Sequence, residues 1–101
     1  MIKHIIIWTL KETLSEEEKR SVKINAKNNL EALVGKIEGL IDLKVEIDFL
    51  PTSNGEMMLY STFESIDALK AYSTHPAHQS AANKFVRPYI ASRSCVDFEI
   101  Q

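Results

Sequence analysis

Three histidines and one tyrosine are the residues of this chain best suited to move a proton: His4, His75, His78 and Tyr72. Imidazole has the side-chain pKa nearest neutrality, so it can accept and return a proton at physiological pH. A tyrosine hydroxyl can donate a hydrogen bond to a developing oxyanion. Tyr72 precedes His78 by six residues, with His75-Pro76 between them. The residue before a proline avoids the helical region, and proline suits the first turn of a helix. The pair therefore straddles a helix break, and both members can face one cavity mouth. Each also has a quieter use. His75 reads as the cap of the helix that follows. His78 can close that helix start by bonding the backbone. His4 on an apolar strand can be a satisfied core or interface histidine. Tyr72 is at helical spacing from Ile66 and Leu69, which makes it a core residue first.

Other chemistries find little support. Asp97 and Glu99 stand two apart on one strand, a common arrangement, and no His-x-x-x-His or cysteine pair accompanies them, so no metal is expected. Cys95, the single cysteine, cannot form an intrachain disulfide and reads as a small buried hydrophobe in mid-strand. The chain has no glycine-rich phosphate loop, nucleophile elbow or Cys-x-x-Cys, and no cofactor is expected.

The elements that must position these residues follow from periodicity. Residues 2–10 form a strand rich in β-branched and aromatic residues. Ser15 with Glu18 is a capping box that opens a helix over 15–38, with Val22, Ala26, Leu30, Leu33, Val34 and Ile37 on one face and Gly39 as its stop. That helix has no aromatic residue, so a cavity wall built from it would be aliphatic. Residues 42–50 alternate apolar and charged, residues 56–63 return as a third strand, and Asn54-Gly55 suits a turn that needs positive φ. Ser65 caps a short helix carrying Ile66, Leu69 and Tyr72, and a second helix runs over 77–91, bent near its end by Pro88. Residues 92–100 close the chain as a fourth strand. The order β-α-β-β-α-β predicts a ferredoxin-like α+β domain, one four-stranded antiparallel sheet with helices on one face. Right-handed crossovers put the first and third strands at its centre.

The central strands are apolar on both faces: Ile5 and Ile7 oppose Ile6, Trp8 and Leu10, and Met57 and Leu59 oppose Met58 and Tyr60. Helices cover one face, so a second copy of the sheet must cover the other, and a homodimer through the sheet face is expected. Trp8 is expected in the barrel, against that partner sheet. At 101 residues the chain amounts to one domain, and a partner would add to a modest core. The formal net charge of -2, with basic and acidic residues intermixed, predicts no nucleic-acid and no membrane partner. No apolar run, Ile5 to Trp8 included, approaches a membrane span, and the residues after Met1 show no export signal. A cytoplasmic location is the expectation.

Several segments together resemble the stress-responsive α/β-barrel (Dabb) family. They are Lys3-His4-Ile5-Ile6-Ile7-Trp8, Phe63-Glu64-Ser65 with Ala68-Leu69-Lys70-Ala71-Tyr72, His75-Pro76-Ala77-His78, and Ser92 to Phe98. The resemblance runs from Lys3 to about Ile100. Its most specific piece is Tyr-x-x-His-Pro-x-His. It implies a dimeric α+β barrel enclosing a cavity that His4, His75 and His78 face, with Trp8 beside His4 on the cavity floor. It implies no single activity. Some members resemble stress proteins or scaffolds, and a few are polyketide cyclases in which residues matching Tyr72 and His78 serve an intramolecular aldol condensation. Two functions are thus expected to compete: a barrel that binds a small apolar molecule, and a cofactor-free enzyme in which His78 removes a proton α to a carbonyl while Tyr72 bonds the oxyanion.

Overall fold

β1 (Ile2–Leu10) is hydrogen-bonded on both sides, to β3 (Met57–Phe63) and to β4 (Ile90–Glu99). β2 (Leu40–Glu46) pairs with the far side of β3, giving the antiparallel order β2-β3-β1-β4. The first and third strands are central, as the crossover rule requires. Between the strands run α1 (Glu16–Glu31), α2 (Ile66–Thr74), α3 (Pro76–Phe85) and a 3-10 turn at Arg87–Tyr89. The computed structural model describes residues 1–100. No helix among them is long and apolar enough to cross a membrane.

The pleat sorts the strand residues into two faces. Ile2, His4, Ile6, Trp8 and Leu10 of β1 lie opposite Met57, Leu59, Ser61 and Phe63 of β3 on the buried face. They join Val22, Ala26 and Leu30 of α1 and Tyr72 of α2 in one core. The other face presents Ile7, Tyr60, Val96 and Phe98, with exposures of 43%, 39%, 57% and 47%. Lys3 also belongs to that face, but its Nζ donates to Thr62 Oγ1 at 2.6 Å and lies 4.2 Å from the centroid of Tyr60. The charge is thus held flat against the sheet. The expectation for Trp8 is corrected here: it is 4% exposed and faces the helices, so Ile5 and Ile7 are the β1 residues that a second sheet would meet.

Local sequence set most boundaries. Ser15 accepts from the Glu18 N–H while the Glu18 carboxylate accepts from the Ser15 N–H, completing the capping box. Ser65 caps α2 by accepting from the Ala68 N–H. α1 nevertheless ends at Glu31, seven residues earlier than its apolar spacing predicts. Beyond it Leu33, Val34 and Lys36 make i→i−3 bonds, and Gly35 takes φ +88°, a conformation that a helix cannot contain. Leu33 and Ile37 stay buried as expected, whereas Val34 turns outward. α3 likewise stops at Phe85, and Pro88 sits in the 3-10 turn instead of bending a longer helix.

The hairpin is looser than Asn54-Gly55 suggests. β2 stops at Glu46, and neither turn residue has positive φ. Gly55 is needed for space, since a Cβ there would sit 2.8 Å from the Ile7 Cγ2. Gly39 meets both demands, with φ +84° and the Ala68 Cβ 2.5 Å from where its own would stand.

Candidate functional site

β4 reaches past the cover of the helices. Its inward residues, Arg93, Cys95, Asp97 and Glu99, pair across from Trp8, Ile6, His4 and Ile2 on the helix side of the sheet, yet all four are exposed. The result is a groove between β4 and the α2–α3 segment. One part, a cavity of about 590 Å3, is lined by residues that include His4, Leu69, Ser73, Arg93, Cys95 and Asp97. A smaller part of about 260 Å3 is lined by Ile6, Trp8, His78, Val86 and Arg93, among others. Arg93 lines both. The larger volume is within the ordinary range for small-molecule sites. A separate hollow of about 370 Å3 lies between α1 and the Phe85–Tyr89 segment and includes none of the candidate site residues.

Tyr72 and His78 do meet. The turn at His75-Pro76 brings their rings to a centroid separation of 4.2 Å with planes tilted by 34°. Tyr72 also lies edge-on to Phe63 at 4.9 Å and to His4 at 6.3 Å. It is 2% exposed, and its hydroxyl is a buried polar atom without a hydrogen-bond partner among the described residues. Burial raises the Tyr72 pKa well above its usual value, so the phenol stays protonated and can donate.

His78 is half-buried, and its Nδ1 lies 3.3 Å from the Ser73 carbonyl. A carbonyl only accepts, so Nδ1 carries a proton and the lone pair of the neutral ring is on Nε2. Burial pushes the His78 pKa below its usual value; the Ser73 hydrogen bond opposes this, and the positive charges of Arg87 and Arg93 add to it. The ring is therefore a neutral acceptor at pH 7.

His4 is 7% exposed and fixed from three sides. Its Nδ1 bonds the Asp97 carboxylate across the β1–β4 pair, its ring stands edge-on to Phe63 at 6.1 Å, and its backbone carbonyl accepts from Ser61 Oγ at 3.0 Å. His75 stands apart. Its Nδ1 accepts from the Ala77 N–H at 3.0 Å as the cap of α3, and it lines neither part of the groove. Trp8 shares the His4 face and lines the smaller part beside His78.

Cys95 differs from the expectation of a buried hydrophobe. It is exposed, with Sγ 3.8 Å from His4 Nδ1 and 3.6 Å from Asp97 Oδ1. The helices stop short of β4, so a mid-strand position there is not an interior one. Partial burial and the Asp97 charge raise the thiol pKa, which leaves Cys95 a poor nucleophile by itself. The expected aliphatic wall is also displaced, since α1 contributes nothing to the groove.

Comparison with known proteins agrees with this architecture. A dimeric protein of unknown function and ferredoxin-like fold from Bacteroides fragilis is 35% identical, with TM-score 0.91, over 98% of this chain and 95% of its own. A dimeric ferredoxin-like protein of unknown function from Thermobifida fusca is 26% identical, with TM-score 0.79, over 98% and 90%. The hydroxynitrile lyase of Passiflora edulis shares the fold at 19% identity and TM-score 0.73, over 99% and 93%. No curated protein matches the chain. The stress responsive A/B barrel domain matches residues 2–100, and the chain belongs to that family, Dabb.

Proposed function

We propose that this protein is a homodimer, joined through the open sheet face, whose helix-side groove binds a small, largely apolar molecule bearing a carbonyl or hydroxyl group. One observation carries the reading: the ring of Tyr72, whose buried hydroxyl has no hydrogen-bond partner among the described residues, packs at 4.2 Å on the ring of His78, a neutral imidazole that lines the groove. A buried hydroxyl without a partner costs roughly 1–3 kcal/mol, and a ligand oxygen that accepts from it would recover much of that. Leu69, Ile6, Trp8 and Val86 supply apolar wall, and Arg93 gives the groove a positive charge. The open face carries Ile7, Val96 and Phe98 as a second sheet would require, and the relatives from B. fragilis and T. fusca are dimeric. A reducing cytoplasm, where Cys95 remains a thiol, is the compartment we propose.

A second reading is favoured by the state of His78. A neutral imidazole with its lone pair on Nε2 is the form that removes a proton α to a carbonyl, and in this reading the Tyr72 hydroxyl would bond the oxyanion that results. The hydroxynitrile lyase likeness extends to fold alone and names no reaction for this chain.

Chemical-shift mapping with small aromatic ketones tests the binding reading. Perturbations should gather at His78, Tyr72 and Leu69 and weaken in Tyr72→Phe. Perturbations confined to other surfaces, or unchanged by Tyr72→Phe, would contradict it.

A further inference from the structure

His4, Cys95 and Asp97 are distant in sequence from any metal-binding signature, yet the β1–β4 register gathers their donor atoms at one point of the groove. His4 pairs with Asp97 and Ile6 with Cys95, so all three side chains rise from the helix side of the sheet on neighbouring positions. One ligand atom from each lies within 4.8 Å of the other two. Sγ stands 3.8 Å from His4 Nδ1 and 3.6 and 3.7 Å from the two Asp97 oxygens.

Those separations suit a particular ion. Tetrahedral zinc binds thiolate sulfur at about 2.3 Å and imidazole nitrogen or carboxylate oxygen at about 2.0–2.2 Å, which places neighbouring donors roughly 3.3–3.6 Å apart. The two sulfur edges are already close to this. The Nδ1–carboxylate edge is a hydrogen bond and would open as the ion replaces its proton. Thiolate with imidazole and carboxylate selects a borderline-soft ion over magnesium or calcium, which prefer oxygen alone.

We propose that His4, Cys95 and Asp97 bind a single zinc-class divalent cation, with one coordination position open toward the groove. Three protein ligands and an open fourth position are the pattern of sites that receive water or a substrate oxygen. The scaffold is suited to it. Ser61 fixes the backbone of His4 through its carbonyl, and Phe63 and Tyr72 hold the ring edge-on. Binding moves the His4 proton to Nε2, since Nδ1 becomes the ligand atom. The site depends on donor geometry and stands whether or not the groove binds a ketone.

Cobalt(II) titration of the full chain under reducing conditions tests this directly. The expected result is one equivalent per chain, with an intense sulfur-to-cobalt charge-transfer band and visible bands of tetrahedral strength. In Cys95→Ser, an exposed position whose exchange leaves the fold intact, the charge-transfer band disappears. Zinc competition against a chromophoric chelator should show affinity falling at least about 100-fold in Cys95→Ser and in Asp97→Asn, beyond the range of outer-shell changes. A wild-type protein without the charge-transfer band, or a Cys95→Ser variant that binds zinc as tightly as wild type, overturns the site.

Discussion

Tyr72 and His78, on opposite sides of the helix break at His75-Pro76, pack ring against ring at 4.2 Å, and the tyrosine hydroxyl of that pair has no hydrogen-bond partner among the described residues. Its removal should therefore help the free protein. Tyr72→Phe is expected to raise stability by about 1 kcal/mol in urea unfolding, because the ring stays packed while the unsatisfied hydroxyl is lost. A loss of 1 kcal/mol or more would show that the hydroxyl is hydrogen-bonded in solution without any ligand.

The pH dependence of stability has a definite sign. The folded-state pKa of His78 is below its unfolded value, so the unfolded chain binds more protons in the window between them. This histidine's contribution should make the protein less stable as pH falls from about 6.5 through that window, and level off above it. His78→Asn should flatten that part of the curve. An unchanged slope in the variant would assign the effect elsewhere.

The two faces of the sheet predict opposite outcomes for one kind of change. Phe98→Glu places a charge on the open face, where a partner sheet would have to bury it, so sedimentation should show a folded monomer in place of a dimer. Trp8→Glu buries the charge within the core and should unfold the chain instead. A Phe98→Glu dimer as tight as wild type would mean that the copies join elsewhere.

Ser15→Ala should lower stability by about 1 kcal/mol, since it removes the side-chain oxygen that accepts from the Glu18 N–H, while the backbone N–H of residue 15 can still donate to Glu18. A midpoint in urea equal to wild type would show that the helix begins elsewhere.

Much of the fold was legible because its signals are local. The two-sided apolar pattern of Ile5 to Trp8 marked a central strand, Ser15 with Glu18 marked a helix start, and His75-Pro76 marked the break that brings Tyr72 to His78. The end of α1 was not legible from apolar spacing, because Leu33 and Ile37 remain buried although the backbone has left the helix at Gly35. Trp8 was placed on the correct strand, but periodicity alone does not say which face the helices cover. The His4–Cys95–Asp97 cluster was hidden for a related reason. Its members meet through the register of two strands at opposite ends of the chain, and no spacing along the sequence records a register. Cys95 could be called buried only by assuming that β4 lies under helices, and it does not.

The central claim is that His78, beside Tyr72, meets a ligand in the groove. An NMR titration of the three histidine rings, assigned with His78→Asn and His4→Asn and run with and without small aromatic ketones, tests it most directly. The expected result is a His78 pKa below its ordinary value of about 6.5 in the free protein, moved by the ketone and altered by Tyr72→Phe. A His78 ring that titrates near 6.5, unmoved by any ketone and indifferent to Tyr72→Phe, would contradict it.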